Sequence, residues 1–519
     1  MKHQNEQARG QWMKIFTLLL VLFSLARPER VSSQELPALI GPRLDQICND
    51  ALADWKIPGM AICIVQGNKV VYMKAYGVRK LGEEAPVNTN TLFMIASNTK
   101  PFTATALCML AEQGLCKLND PVEKYLPAFR MNADYSSSVT LRDLLTHKLG
   151  LRTFEGDFMY FYSKLKPSEV YGRFSLLKPT QVFRQDYGYC NAAYFLAGEV
   201  VGKASGGSWD SCVRKLLLEP LGMNRTLTSS AKIGQYNNLA WGHTFEDGIM
   251  TAFPHANIDV IAPAAAMSTS AEDISHWMIA QLNEGRYNGL QVIPRKVIQA
   301  TRQPQTIIGR NSHLYYRTHY SLYGLGWSLE DYEGVEVISH GGGIRGFYSD
   351  VALVPELQLG VAVFTNNDEN WFYEGVRWMI IDAFLGLPWK DYSSDYLSIY
   401  TERQQKQEQM IGRWKDTVAM KLPWGLDTLA YCGQYISPVY GSADIVRRGD
   451  ELEISFSLHP DLKGRLQSMG SNRFLCTYHP TRFGTRVIEF TTREQRVVKV
   501  EIGVAERLEK TVYEFFRQP

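Results

Sequence analysis

Residues 91–114 read TLFMIASNTKPFTATALCMLAEQG, and the fold turns on how this stretch is parsed. TLFMIA is a largely apolar, strand-like run. From Ser97 onward Phe102, Ala106, Leu107, Leu110 and Ala111 recur at helical spacing. Pro101 sits near the start, where proline is best tolerated, and Gly114 stands where a C-terminal cap belongs. The stretch therefore reads as a strand-like segment running into an amphipathic helix, with Ser97 at the helix N-terminus.

Working outward, MAICIVQ (60–66), the turn Gly67-Asn68 and KVVYMKAYG (69–77) predict a hairpin upstream. Residues 120–310 read as mostly helical, with amphipathic stretches at Ala192–Leu218, interrupted at Gly206-Gly207, and at Ala271–Asn283. After 320, Tyr323–Leu329, Val335–Ser339, Tyr348–Leu353 and Leu359–Thr365 predict strands and Trp371–Leu385 an apolar helix. This order predicts an α+β fold, an antiparallel sheet shared by the early and late strands and flanked by helices. Residues 400–418 are rich in Gln and charge and read as a polar helix or linker. From Leu429, ADIVRR, ELEISFS, RFLCTYH, TRVIEFT and RVVKVEI alternate apolar and polar residues, which predicts a small β-barrel or sandwich. The expected organisation is a leader at 1–33, a main domain at 34–390, a linker or helix at 391–426 and an all-β domain at 427–519.

With 519 residues, 45% hydrophobic and 21% charged, the chain is long enough for two or three domains, which excludes collagenous, disordered and small disulfide-scaffold classes. A formal charge of +2 with scattered Lys and Arg leaves no electrostatic footprint for nucleic acid. Lys2, Arg9 and Lys14 precede a 12-residue apolar run, Ile15–Ala26, and small residues follow at Val31-Ser32-Ser33. That order predicts a secretory signal peptide, and the run is too short to span a bilayer. The expected location is thus secreted or periplasmic, and loss of 1–33 leaves a net charge of −1. The eight cysteines permit many pairings, of which only Cys432 with Cys476 is suggestive; two buried thiols on neighbouring strands fit these two equally well. Neither C-x-x-C nor H-E-x-x-H occurs, so no metal is expected.

S-x-x-K occurs four times, at Ser97/Lys100, Ser163/Lys166, Ser175/Lys178 and Ser229/Lys232. Only Ser97 follows an apolar strand-like segment and opens an amphipathic helix, whose free N–H groups and dipole favour a developing oxyanion. A spacing of three puts Lys100 on the same helical face, where a dry pocket would ease loss of its proton. Tyr189-Cys190-Asn191 begins 89 residues beyond Lys100, and His340-Gly341-Gly342 begins 149 residues beyond Asn191.

With these three elements in order, the chain resembles the serine β-lactamase and penicillin-binding protein superfamily, in its class C β-lactamase, DD-peptidase and esterase branch. LRDLLTHKLGL (141–151), PLGM (220–223), STSAEDI (268–274), YGLGW (323–327) and FTNN (364–367) agree, and the resemblance covers roughly 40–385. It implies a β-lactamase/transpeptidase-like fold with a helical subdomain and no cofactor. It implies Ser97 as the acylated nucleophile and Lys100 and Tyr189 as the proton-handling pair, with the choice of general base open. Asn191 is similar to the residue that bonds the substrate amide or Lys100, and His340, Gly341 and Gly342 to the strand bordering the cleft. The oxyanion would meet the N–H groups of Ser97 and Gly343.

Three alternatives are weaker. Tyr236/Asn238 repeats Y-x-N, but in a polar loop. Gly341–Gly346 matches G-x-G-x-x-G, yet a strand rather than a helix is expected after it, and no G-x-S-x-G is present. His147 and Cys190 read as packing residues. The chain departs from the resembled pattern at His340, where β-lactamases carry a lysine, and at Leu149 and Ala265, where relatives carry smaller residues. A histidine is mostly neutral at pH 7, so efficient β-lactam hydrolysis is not expected. The sequence thus implies an exported serine hydrolase acting through Ser97 on a small-molecule or peptide substrate, a D-amino-acid peptide or small ester. The alternatives are a β-lactamase or DD-carboxypeptidase and an inactive wall-peptide-binding protein.

Overall fold

The computed structural model describes residues 36–246, 248–311, 313–506 and 508–519; the expected leader at 1–33 lies outside them. An eight-stranded, wholly antiparallel sheet organises the first two thirds. In chain order its strands are β1 (Gly59–Gln66), β2 (Lys69–Gly77), β3 (Thr306–Arg310), β4 (Tyr320–Tyr323), β5 (Ser328–Tyr332), β6 (Val335–Ile344), β7 (Phe347–Val354) and β8 (Leu359–Thr365), arranged β2-β1-β8-β7-β6-β5-β4-β3. The early hairpin and the late meander do share one sheet.

The continuous apolar run of β1 follows from burial on both faces. Ala61, Cys63 and Val65 join the core that holds Phe102 of α2 (Thr99–Glu112) and Trp277 of α4 (Ala271–Leu282), two rings stacked 4.0 Å apart. Met60, Ile62 and Ile64 face the other way, toward Leu44 of α1 (Pro42–Asp54) and Val376 and Ile380 of α5 (Phe372–Leu385). The period of two along a strand thus divides one sequence between two helical layers. α3 (Asn191–Ser205) packs on α2 to build the helical side of the molecule.

Tyr323–Leu329 is not one strand. β4 stops at Tyr323 and β5 starts at Ser328, with Gly324 N–H bonded to Trp327 C=O at 2.8 Å to close a turn. The turn lies directly on the first turn of α2. Gly326 has φ +84°, and a Cβ there would stand 2.9 Å from Pro101 Cα and 3.0 Å from the Lys100 carbonyl. Strand continuation is lost because this close approach requires a left-handed glycine.

α6 (Tyr392–Ala419), 28 residues long, fills most of 391–426. Beyond it a closed barrel runs through β9 (Gly433–Ser437), β10 (Gly441–Arg448), β11 (Glu451–Phe456), β12 (Lys463–Ser468), β13 (Arg473–His479), β14 (Thr485–Arg493), β15 (Arg496–Ile502) and β16 (Tyr513–Arg517), with β16 pairing back onto β9. Its interior is filled by its own side chains, among them Tyr435, Ile445, Ile454, Leu466, Phe474, Phe490 and Phe515. β9, β12 and β16, of five or six residues each, are not among the segments that the sequence pattern marked; in β12 Leu466 is the one apolar residue.

All eight cysteines are free thiols. Cys432 precedes β9 and Cys476 lies on β13, strands that are not neighbours in the barrel. The suggested pairing is therefore not made, and Cys432 is partly exposed rather than buried on a neighbouring strand. No helix among the described residues is long and apolar enough to cross a membrane.

Gly326→Ala should cost about 2–4 kcal/mol, from a Cβ at positive φ and overpacking against the backbone of α2. Guanidinium denaturation of the two proteins measures it, and coincident midpoints would contradict this account of the turn.

Candidate active site

Phe93-Met94 pairs with Ser268-Thr269, and Ile95 N–H bonds the Met267 carbonyl, which anchors the segment ahead of α2. Ala96 then takes φ +45°, a strained value for an L-residue. A single 3-10 turn, Ala96–Asn98, follows and leads into α2. The consequence is selective exposure: within 91–100 every residue except Ser97 is buried. Asn98 fixes the turn from below, its Nδ2 donating to Ser349 Oγ at 2.9 Å, while Ser349 donates to the Ile95 carbonyl at 2.8 Å.

Lys100 has no exposed surface. Its Nζ lies 3.0 Å from Ser97 Oγ, 2.7 Å from Asn191 Oδ1 and 3.0 Å from the Ala264 carbonyl. Burial lowers its pKa to about 7, against the pull of Asp157, which raises it. The geometry decides what the neutral amine does. The Ala264 carbonyl only accepts, and Asn191 presents Oδ1 because its Nδ2 is committed to Asp157 Oδ2 at 2.6 Å. Two N–H bonds are thereby assigned, and the lone pair of an uncharged Lys100 faces the Ser97 hydroxyl.

Asp157, 1% exposed, is the residue that sequence reasoning missed. Burial pushes its pKa up to about 7, while hydrogen bonds from Tyr160 and Asn191 and the charge of Lys100 hold it down. Its only signal was a lone carboxylate inside GDFMYF, a pattern that also fits a surface loop.

Tyr189 lines the cleft with Ser97, whose hydroxyl interacts with its phenol. Burial raises its pKa well above the usual phenol range, so it is a donor at neutral pH. Beneath it His147 is fully buried, its Nδ1 accepting the Cys190 N–H at 3.1 Å, with its ring 4.4 Å from that of Tyr189 and 4.8 Å from that of Tyr323. Burial and the charge of Lys100 keep it neutral. It supports the Tyr189–Asn191 segment and lies outside the cleft, a structural role.

His340 is also neutral. Burial and Lys100 lower its pKa to about 3. Its Nδ1 lies 2.6 Å from the Gly341 carbonyl, which can only accept, so Nδ1 carries the proton and Nε2 accepts from Tyr323 Oη at 3.2 Å. Along β6, Gly341 and Gly343 face outward and Gly342 inward. A Cβ on Gly342 would lie 2.1 Å from the Ile95 carbonyl and 2.4 Å from Ser349 Oγ, so only glycine lets β6 rest on the turn that presents Ser97. The glycines run from strand through a turn into strand β7, which excludes a dinucleotide fingerprint.

Ser97, Tyr189, Asn191, His340, Gly341 and Gly343 line one cleft of about 500 Å³, with Lys100 and Gly342 behind them. The other three S-x-x-K serines do not line it. Ala265 borders the cleft, and Leu149 is buried away from it. The barrel contributes Arg482 and Leu508 to the same lining. Arg345 pairs with Glu246, whereas Arg482 has no ion pair among the described residues; its guanidinium lies 4.4 Å from the Tyr162 ring and its buried Nε has no acceptor. No group of three or more His, Cys, Asp or Glu suited to a metal is found among the described residues.

The family model described as Beta-lactamase matches residues 44–384. Unguisins hydrolase ungD of Aspergillus violaceofuscus is 25% identical over 432 residues, covering 76% of this chain and 75% of its own. Protein flp of Staphylococcus aureus is 28% identical over 332 residues, 62% of either chain. Among solved structures, the octameric penicillin-binding protein homologue from Pyrococcus abyssi superposes with a TM-score of 0.59 at 21% identity, covering 92% of this chain and 99% of its own.

Lys100 should titrate near neutrality, and Asp157→Asn should move its pKa further down, because the carboxylate that favours the ammonium is gone. NMR of lysine-labelled protein, following Cε and Hε through a pH series, reads both values. An unchanged or higher value in the variant would show that Asp157 is not the counter-charge.

Proposed function

The chain belongs to the beta-lactamase family of serine hydrolases, and on that premise we propose that it is an exported hydrolase forming an acyl-enzyme at Ser97 on an amide or ester substrate. The observation that carries this reading is the disposition of Lys100: two of its contacts are fixed acceptors and the third is the Ser97 hydroxyl. In the neutral state, accessible because its pKa is about 7, it takes the Oγ proton as Oγ attacks the acyl carbon. The carbonyl oxygen becomes an oxyanion held by the N–H groups of Ser97 and Gly343. The C–X bond then breaks and the proton passes from Lys100, by way of the Tyr189 hydroxyl, to the leaving group. Water repeats the cycle on the ester, releasing the acid and restoring the Ser97 hydroxyl. Tyr189 stays a neutral donor and relay, which favours Lys100 as the general base.

The substrate we favour is a D-amino-acid peptide or small ester. A lysine in the third motif would put a fixed cation at the strand edge, and His340 does not. The unpaired cation of the lining is Arg482, from the barrel, so a substrate carboxylate would turn toward it. The sequence features of a leader at 1–33 support export.

Fluorophosphonate and fluorescent penicillin should each label the protein, and Ser97→Ala should abolish both adducts. A folded wild type that neither probe labels would remove Ser97 as nucleophile and favour a binding protein. Release of the penicillin adduct within seconds would favour a β-lactamase. In turnover, Lys100→Ala and Tyr189→Phe should each lose about 10²-fold or more. Separately, Arg482→Gln should reduce the preference for mono-p-nitrophenyl adipate over its methyl ester by about tenfold, the loss of a charge-assisted contact. Equal effects on the acid and the ester would contradict a carboxylate at Arg482.

A further inference from the structure

The turn that carries Asp157 is held by the barrel. Glu509, 1% exposed and in the connection between β15 and β16, accepts the Gly156 N–H at 2.8 Å through Oε1 and the Phe158 N–H at 2.9 Å through Oε2. These are the two N–H groups that flank Asp157 in sequence. The remaining capacity of the carboxylate is taken up by Tyr440 Oη, 3.1 and 3.0 Å from its two oxygens, and by Tyr513 Oη. Burial pushes the Glu509 pKa up to about 8, against the pull of the bonds from Tyr513, Phe158 and Gly156, and these contacts together with Tyr440 hold the carboxyl group in one orientation. Phe158 completes the grip. Its ring enters the mouth of the barrel, stacked 4.3 Å from His459 and 5.4 Å from Tyr440 and edge-on to Phe456 at 5.7 Å.

From this turn the polar contacts run without a break to the nucleophile. Asp157 Oδ2 accepts from Asn191, Asn191 Oδ1 accepts from Lys100, and Lys100 meets Ser97. We propose that Glu509 is a positioning residue of the active site: by clamping the backbone on both sides of Asp157 it sets where the counter-charge of Lys100 sits. The barrel is then a working part of the site. The proposal rests on the reading of Ser97 and Lys100 given above and adds the residue, in another part of the chain, that tunes them.

Position matters here because the lysine must be neutral and aimed at once. Displacement of Asp157 frees Asn191 Nδ2, releases the amide to rotate, and removes a fixed acceptor from Lys100. It also weakens the attraction that holds the pKa of Lys100 up, so the lysine should titrate lower, as it does when Asp157 itself is neutralised. A purely structural role predicts none of this.

The test is a double-mutant cycle on the full chain with Glu509→Gln, Asp157→Asn and the double variant, using p-nitrophenyl acetate as the probe. Gln fills the same volume but cannot accept both N–H bonds. We expect kcat to fall about 10²-fold in Glu509→Gln, the cost of misplacing a catalytic group, with KM within about threefold. In the Asp157→Asn background the further loss should shrink to within about twofold, and the Lys100 titration should move down in both single variants. Additive losses, a kcat close to wild type, or an unmoved Lys100 titration would overturn the proposal. If Glu509→Gln does not fold, Glu509→Asp serves, since its shorter carboxylate also cannot span the two N–H groups, and the same pattern is required of it. Ser97→Ala run alongside separates the two readings. Hydrolysis that survives it sinks the nucleophile assignment, whereas hydrolysis that needs Ser97 but ignores Glu509 sinks only the clamp.

Discussion

The burial of Lys100 is the constraint around which the rest of the site is arranged. An uncompensated ammonium in such a place costs several kcal/mol. The structure resolves this by proximity to Asp157, a carboxylate that is itself buried, so that each group pulls the other's pKa back toward its ordinary value and both come to lie near 7. The neighbours follow from that arrangement. His147 and His340 are held neutral in part because a second cation beside Lys100 is unfavourable. Asn191 is oriented because one side must accept and the other donate.

The parts of this arrangement that were legible in the sequence are those governed by local rules. Ser97 and Lys100 are three apart on one helix, so periodicity alone places them together. Tyr189 and His340 could be found because each sits beside a small-residue or helix-start pattern, in a fixed order along the chain. The α+β layering was legible as well, since β1 and β8 are apolar over nearly their whole length. Asp157 was not, because nothing local distinguishes a carboxylate that will be buried against Lys100 from one that will be solvated. The break between β4 and β5 escaped for a related reason: it is imposed by contact with α2, some 220 residues away. In the barrel, β9, β12 and β16 are known from their pairing, β16 closing back onto β9 and β12 lying between β11 and β13. Arg482 and Glu509 show the same limit, since their roles exist only once the barrel has docked.

The cleft is unusual in its charge economy. The strand beside Ser97 offers a neutral imidazole, locked as the Nδ1–H tautomer by the carbonyl of its own neighbour. Positive charge comes instead from Arg482 at the far rim, on a different part of the fold. The field that a bound substrate meets is therefore divided between two halves of the chain. In the function proposed above, the hydrolase half would supply the proton chemistry and the barrel half, through Arg482, the fixed cation.

That division puts weight on α6. Its first turns are packed by Tyr392, Tyr396 and Tyr400 against Tyr332, Trp371 and Trp55, and just beyond its end Trp424 packs on Phe474 of the barrel. The whole helix, 28 residues, spans about 42 Å at about 1.5 Å and 100° per residue. The helix is a gauge with a phase. A single-residue deletion in its exposed middle would rotate one anchor by about 100° relative to the other, whereas removal of seven would shorten it by about 10 Å with little net rotation. No residue of α6 lines the cleft, and its length sets the spacing and the phase between its two anchors.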